Sequence, residues 1–228
     1  KAKNVSIYDF IHFEMIYFSR SDCVRSLPSI IDGLKPSQRK VLYCCFKRNL
    51  TSKEIRVAQL AGYVSEHGAY HHGEMSLHGT IINMAQDFTG SNNIGLLDPI
   101  GQFGTRCQGG KDSAQPRYIH TKLMPITSML FNKLDEPLYK YNTDDGINVE
   151  PIYYAPVLPL VLINGSQGIG TGWSTDIPKF NPLDILTNIR NKLDGKDYND
   201  MVPYCHGFKG TINKKNNKTF VSKGIYEV

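Results

Sequence analysis

No apolar run in this 228-residue chain is long enough to cross a bilayer, which takes about 20 consecutive apolar residues. No basic, then apolar, then small-residue pattern of a secretory leader opens it. Neither a transmembrane helix nor a signal peptide therefore enters the reading. Cysteine is sparse: Cys23, Cys44, Cys45, Cys107 and Cys205, an odd number with no C-x-x-C pair. That usage predicts reduced thiols in an intracellular protein rather than a disulfide framework. His67, His71 and His72 have a zinc-like internal spacing, but no cysteine pair matches them, so a structural zinc site is not expected. No acidic cluster has the makings of a two-metal site, and Asp144-Asp145-Gly146 reads as a turn. The glycine-rich run Gly165-Ser166-Gln167-Gly168-Ile169-Gly170-Thr171-Gly172 lacks the Gly-Lys-Ser/Thr ending of a P-loop.

What is present is ordinary in bulk. The chain is 40% apolar and 21% charged, as soluble domains are. Its net charge of +5 is mildly basic and does not by itself point to nucleic acid. The length allows one large domain or two smaller ones, each able to bury a core. The chain opens on Lys-Ala-Lys rather than Met and ends in mid-pattern at Tyr226-Glu227-Val228, which reads as an internal piece of a longer protein. It has no internal repeat.

Ile7, Ile11, Met15 and Phe18 recur at helical spacing and predict an amphipathic helix over 7–18. A loop follows to Pro36, which suits the first turn of a helix reaching about Asn49, with Val41, Leu42, Cys45 and Phe46 inward. A second helix is expected over 54–66, facing inward through Val57, Leu60, Ala61 and Val64. A third is expected over 74–88, through Leu77, Ile81, Met84, Ala85 and Phe88. The tight turn at Gly68–Gly73 between these two fits a helix-turn-helix, but on pattern alone an antiparallel helix pair in any α-helical core fits better. Residues 89–117 read as the short strands and loops of a wing, and 123–131 as a further helix. Near Val149 the character changes. Val157, Leu158 and Leu160–Ile163 form a strand-like stretch broken by Pro156 and Pro159. Asn181-Pro182-Leu183-Asp184 starts a helix through Leu183, Leu186, Ile189 and Leu193, which Gly195 stops. A hairpin then brackets the basic turn at 213–218.

The chemistry concentrates in Gln115-Pro116-Arg117-Tyr118-Ile119, behind the glycine-dense segments Gly101-Gln102-Phe103-Gly104-Thr105-Arg106 and Gly109-Gly110-Lys111-Asp112. A free phenol has a pKa near ~10 and is a poor nucleophile at neutral pH. Arg117 places beside it a permanent cation whose fork matches phosphate oxygens. Attack on a phosphodiester would give a phosphotyrosyl ester, from which a strand can be resealed without a high-energy cofactor. Read alone, one Arg-Tyr pair among thirteen tyrosines is better explained by packing in a sheet. Ile169 in its glycine-rich turn fits an exposed wedge between base pairs, or a small core anchor. Lys35, Arg39, Lys40, Lys47 and Arg48 could track a phosphate backbone or form a solvated face.

Taken in order, these segments resemble one family, the eukaryotic-type DNA topoisomerase II, a type IIA enzyme. The resemblance runs through Ser26-Leu27-Pro28-Ser29, Asp32-Gly33-Leu34-Lys35-Pro36-Ser37-Gln38-Arg39-Lys40-Val41-Leu42, Val57-Ala58-Gln59-Leu60-Ala61-Gly62 and Tyr70-His71-His72-Gly73-Glu74. It continues through Gly90-Ser91-Asn92-Asn93, Pro99-Ile100-Gly101 to Arg106, Pro116-Arg117-Tyr118-Ile119, Val161-Leu162-Ile163-Asn164-Gly165 and Gly168 to Trp173, essentially the whole chain. The adjacent His71 and His72 point to the eukaryotic branch, since the corresponding chains of bacterial gyrase and topoisomerase IV carry a proline between the two histidines.

The resemblance implies an α+β fold: a winged-helix, CAP-like helix-turn-helix domain followed by part of an α/β tower domain. It implies an N-terminal linking helix at 1–19, the winged-helix DNA-gate domain at 20–148 and the start of the tower at 149–228. Tyr118 inherits the role of nucleophile and Arg117 that of the transition-state arginine. Ile169 matches the intercalating isoleucine. Lys35, Arg39, Lys40, His71, His72, Arg106 and Lys111 fall in segments that bind DNA, and Met75 where cleavage-stabilising drugs contact related enzymes. The implied partners are double-stranded DNA and, in the full-length enzyme, a second copy in a homodimer, with no membrane. No cofactor is implied within the chain; Mg²⁺ in a TOPRIM module and ATP in an ATPase module are implied elsewhere in the full-length enzyme. The implied location is the nucleus, or a cytoplasmic replication site if the source is viral; the Lys- and Asn-rich tail hints at an AT-biased genome. The chain alone is expected to bind DNA weakly without cleaving it. Tyr63–Ala69, His78, Gly79, Cys107-Gln108 and Gln115 depart from the family's pattern, which puts drug sensitivity in doubt more than chemistry. The rival reading is a non-catalytic winged-helix DNA-binding or scaffold module.

Overall fold

The computed structural model of the protein describes residues 4–216 and 219–226. Its first helical stretch runs further than the spacing predicted: α1 (Ile7–Asp9), a π-helical Phe10–Met15, then α2 (Ile16–Ser26). Ser6 caps the start, its Oγ accepting from the Asp9 N–H at 3.0 Å. Ile7, Ile11, Met15 and Phe18, expected on a buried stripe, are all exposed, as are Tyr8, Phe10, Phe13, Ile16 and Tyr17. Apolar side chains occupy every face of this stretch, so no rotation of the helix could bury them all against one surface.

The core is built by three mutually packed helices. α3 (Pro36–Lys47) begins on its proline, where a missing N–H is harmless, and buries Val41, Leu42, Cys44 and Cys45. α4 (Val57–His67) buries Val57, Leu60, Ala61 and Val64, the stripe the sequence shows. Each fully buried Val or Leu contributes roughly 1.5–3 kcal/mol relative to exposure. Two residues assigned to the start of that helix instead form β1 (Ile55–Arg56). α5 (Glu74–Ala85) buries Leu77, Ile81, Ile82, Met84 and Ala85. It ends three residues before Phe88, because Gln86 turns extended and sends its side chain into the loops beyond.

β1 pairs antiparallel with β2 (His120–Thr121), Arg56 opposite His120. On its other side His120 exchanges both backbone hydrogen bonds with Ile100, at 2.9 and 3.1 Å. The strands expected within 89–117 reduce to such single bridges, at Leu97 and Ile100, and to a 3-10 turn at Arg106–Gln108. This segment has too many glycines to pair along a ladder. α6 (Pro125–Leu130) follows, then a 3-10 turn, then the hairpin β3 (Tyr141–Asp144) and β4 (Ile147–Pro151). Its tip is the Asp145-Gly146 pair, both at positive φ, as the Asp-Asp-Gly signal predicted.

The apolar run after Pro159 is not a strand but a single helical turn, α7 (Leu160–Ile163), which buries Leu160, Val161 and Ile163. Tyr154, Leu160, Ile163 and Ile185 belong to the same buried cluster as the three core helices, so packing continues across residue 149. Asn93 strengthens the junction: its Nδ2 donates to the carbonyls of Ile163, Tyr204 and Phe180, and its Oδ1 accepts from the His206 N–H. Next come the hairpin β5 (Ser166–Gly170) and β6 (Trp173–Ile177), and α8 (Pro182–Leu193), capped by Asn181 as expected. The inward face of α8 differs from the expected one. Ile185 and Asn188 are buried, Leu186 and Ile189 are half-buried, and Leu183 and Leu193 are exposed. Its end at Gly195 is as expected, the Lys196 N–H donating back to the Asn191 carbonyl at 2.8 Å. The last hairpin is β7 (Thr211–Asn216) and β8 (Thr219–Lys223); Asn217 and Lys218 of the basic turn lie outside the described residues. The fold is α+β: a helical core with four two-stranded antiparallel sheets among the described residues.

Candidate functional site

Tyr118 sits two residues before β2 and is therefore held by the small sheet. The Ala58 N–H donates to the Pro116 carbonyl at 3.1 Å and the Val57 N–H to the Ile119 carbonyl at 3.0 Å. These are free donors of the first turn of α4, so the Pro-Arg-Tyr-Ile segment itself satisfies that helix end. Ile119 is fully packed, at 1% exposed, while Tyr118 beside it is 65% exposed. The Arg117 guanidinium lies 4.9 Å from the centre of the Tyr118 ring. Among the described residues, no carboxylate pairs with Arg117 and no group hydrogen-bonds the Tyr118 hydroxyl. The arrangement presents an unneutralised cation and an accessible phenol together on a loop with a buried neighbour.

The glycine-dense loop before it is tied down from inside. Gln86, buried just past α5, donates through Nε2 to the Phe103 carbonyl at 2.9 Å and the Gly110 carbonyl at 3.0 Å. Asp112 accepts from the Thr105 backbone N–H at 2.7 Å and from its hydroxyl at 2.8 Å, and these bonds hold its carboxyl below the usual range. The Arg106 and Lys111 side chains are left exposed on this loop, without a carboxylate partner among the described residues.

A second group of the sequence-selected residues lines one cleft of about 770 Å³: Lys35, Lys40, His71, His72 and Ile169, joined by Arg25 from α2. Ile169 is 84% exposed. Lys35 is half-buried and has no carboxylate partner among the described residues. His71 meets Asp144 across the cleft, Nε2 to Oδ2 at 2.7 Å, and the His72 ring packs edge-on against Tyr70. Met75 stands exposed on the first turn of α5.

Two of the chosen cations are engaged elsewhere. Arg39 points inward. Its Nε and Nη2 clasp Asp32 at 2.8 and 3.0 Å, and Nη2 also donates to the Leu34 carbonyl. A guanidinium at 5% exposure, with Nε and Nη2 committed to Asp32 and the Leu34 carbonyl, is held away from a phosphate, which removes Arg39 from the DNA-binding set. Lys40 lines the cleft, but its ammonium donates to Glu150 at 2.7 Å and to the Gly68 carbonyl at 2.6 Å, so its charge is already matched. Arg25 escapes sequence reasoning because it lies outside any glycine-rich or basic segment. Only the fold of α2 over the hairpin brings it in.

No three His, Cys, Asp or Glu side chains converge to hold a metal ion among the described residues. Asp144 and Asp145 do not fit a two-metal site: they sit at a hairpin tip, and Asp144 faces His71. All five cysteines are free. No helix of the described residues is long and apolar enough to cross a membrane.

Comparison with known proteins places these features in one group. The family of the DNA gyrase/topoisomerase IV A-subunits matches residues 25–228. DNA topoisomerase 2 of Bombyx mori is 53% identical over 222 residues, covering 97% of this chain and 14% of that protein. DNA topoisomerase 2 of Candida albicans is 55% identical over 223 residues, 98% of this chain and 15% of that one. DNA topoisomerase 2-alpha of Cricetulus griseus is 56% identical over 216 residues, 95% and 14% respectively. The chain thus spans about one-seventh of the length of these relatives. The crystal structure of the Plasmodium falciparum topoisomerase II DNA-binding, cleavage and re-ligation domain superposes with a TM-score of 0.91 at 53% identity. The match covers 99% of this chain and 31% of that one.

Proposed function

The chain belongs to the DNA gyrase/topoisomerase IV A-subunit family, on the side of the eukaryotic type II topoisomerases, and from that premise we propose that it forms the nucleophile-bearing half of a DNA breakage-and-rejoining site. Residues 20–148 are the winged-helix DNA-gate unit, preceded by a linking helix and followed by the start of a tower. The Tyr118 phenol oxygen attacks a backbone phosphorus, the 3′-oxygen of the neighbouring deoxyribose leaves, and a 5′-phosphotyrosyl ester remains. Reversal of the same step reseals the strand, because the ester stores the bond. Arg117 steadies the charge on the phosphate oxygens as the bond order changes. Lys35, Arg106 and Lys111 hold the phosphate backbone, and His71 and His72 line the same approach. Ile169 enters the base stack and helps bend the duplex, a deformation of order 1–10 kcal/mol. Met75, beside this approach, is the contact for cleavage-stabilising drugs.

The observation that carries this reading is the solvent-open Tyr118 beside an unpaired Arg117, held on a segment that itself completes the start of α4. In the whole protein this half-site works with divalent magnesium from a TOPRIM module and ATP from a further module, in a nuclear homodimer that passes one duplex through another. The reading is tested by trapping the full-length protein on gate DNA with Mg²⁺, digesting it, and mapping the nucleotide adduct by mass spectrometry. The adduct is expected on the peptide containing Tyr118; an adduct on another tyrosine, or none, refutes the assignment.

A further inference from the structure

β5 reads small-large-small at its tip: Gly168, Ile169, Gly170. Successive strand residues face opposite sides, so the two glycines share one face and Ile169 has the other to itself. The glycine face lies flat on α2 and the loop after it. A Cβ on Gly168 would stand 2.5 Å from the Ser26 carbonyl oxygen and 3.2 Å from the Leu27 Cα; one on Gly170 would stand 3.1 Å from the Cys23 sulfur. Backbone atoms cannot yield as a side chain can, so any residue larger than glycine at 168 lifts the strand. Close docking of the one face is what leaves Ile169 aimed outward at 84% exposure.

The turn beyond Gly170 is fastened to the same helix. Asp22 Oδ2 accepts from the Thr171 backbone N–H at 2.9 Å and from the Thr171 hydroxyl at 2.9 Å. Its other oxygen accepts from Arg25 Nη2 at 2.7 Å and from the Ser26 hydroxyl at 3.1 Å. The Cys23 thiol adds a weaker bond to the Thr171 carbonyl at 3.4 Å. Hydrogen bonds to an ionised carboxylate are roughly twice as strong as neutral ones. The contacts are also far apart in sequence, 149 residues from Asp22 to Thr171, so they fix the hairpin relative to α2 rather than stiffening it internally.

We propose that Asp22 is a positioning residue for the DNA wedge: with the Gly168-Gly170 face it latches the β5–β6 turn to α2, so that Ile169 meets DNA already oriented. The proposal rests on the reading of Ile169 as the wedge. Pre-orientation matters because a wedge on a loose hairpin would lose ordering entropy on entering the stack. Arg25 is then doubly placed, bracing Asp22 and lining the cleft that receives the duplex.

The test uses the full-length protein as wild type, Asp22→Ala, Ile169→Ala, the double variant and Thr171→Ser. Amide hydrogen exchange over residues 166–173, without DNA, reads the latch. FRET between dyes flanking a gate duplex reads the bend. Asp22→Ala is expected to speed exchange in that segment about tenfold, while Thr171→Ser, which keeps both donors, stays near wild type. Asp22→Ala is also expected to reduce bending, and adding Ile169→Ala to it should reduce bending no further than Ile169→Ala alone. Unchanged exchange in Asp22→Ala overturns the latch. Faster exchange with undiminished bending, or additive losses in the double variant, overturns its action through the wedge. Undiminished bending in Ile169→Ala, whatever Asp22→Ala does, instead overturns the wedge reading.

Discussion

Asp32 and Arg39 form a buried two-point ion pair, Oδ2 to Nε at 2.8 Å and Oδ1 to Nη2 at 3.0 Å. The same carboxylate accepts from the backbone N–H groups of Leu34 and Tyr154, both at 2.9 Å, so every strong acceptor site is filled. The pair joins the start of α3 to the segment following β4. Removing one partner leaves an uncompensated buried charge, which typically destabilises by about 3–5 kcal/mol. Arg39→Ala should therefore lower the urea midpoint sharply. Its effect on DNA should follow unfolding, with no change in the salt dependence of binding by the protein that remains folded.

The cations without a carboxylate partner among the described residues, half-buried Lys35 and exposed Arg106 and Lys111, predict the opposite pattern. Lys35→Ala, Arg106→Ala and Lys111→Ala should leave the melting temperature almost unchanged. Each should flatten the plot of log binding constant against log salt by about 0.9. Lys40→Ala should resemble Arg39→Ala more than this group, since Glu150 would be left buried without its partner. Fluorescence titration at several salt concentrations, with a thermal melt of each variant, separates the two classes.

That division shows where sequence reasoning stops. Basic residues in the segment from Lys35 to Arg48 look alike in the sequence, and nothing local reveals that Asp32 captures Arg39 and Glu150 captures Lys40. Periodicity found the inward faces of α3, α4 and α5 because fully packed helices carry a full stripe. It misjudged 157–163, where a short apolar run fits a strand or one helical turn equally, and Pro159 decides for the turn. It misjudged α8, whose outer apolar residues Leu183 and Leu193 find no cover among the described residues. The Tyr118 segment was legible as a motif, but its support was not. The bonds to Val57 and Ala58 join residues about 60 positions apart.

Gln86 offers a test of that hidden support. Its amide bridges Phe103 and Gly110 from within the core. Gln86→Leu leaves two buried carbonyls without that donor, at roughly 1–3 kcal/mol each. Thermal melting should show the loss, and limited proteolysis should cut first between residues 101 and 112.

Thiol chemistry follows from burial. Burial pushes the Cys44 thiol up to about 12 and raises Cys45 further, while Cys107 is exposed. Alkylation at pH 8 should label Cys107 first and leave Cys44 and Cys45 untouched until the protein is unfolded. Early labelling at Cys44 would contradict the packed α3 face.

The proposed latch between Asp22 and the β5–β6 turn has a pH signature. Bonds from Arg25 and then Thr171 pull Asp22 from its ordinary 3.8 down to about 2. A depressed carboxyl pKa stabilises fully above the ordinary value and loses that effect as pH falls through the depressed one. Exchange protection over residues 166–173, corrected for the intrinsic rate, should therefore hold at pH 5 and fade between pH 4 and 2. In Asp22→Ala this dependence should vanish.

Tyr118 is proposed as the nucleophile of a half-site whose other half lies outside this chain. The most direct measurement is covalent capture of gate DNA by the full-length protein in Mg²⁺, comparing wild type with Tyr118→Phe, alongside the 228-residue chain by itself. A protein–DNA adduct is expected for the full-length wild type only, with duplex affinity retained in Tyr118→Phe. An adduct that survives Tyr118→Phe, or strand cleavage by the isolated chain, would contradict that proposal.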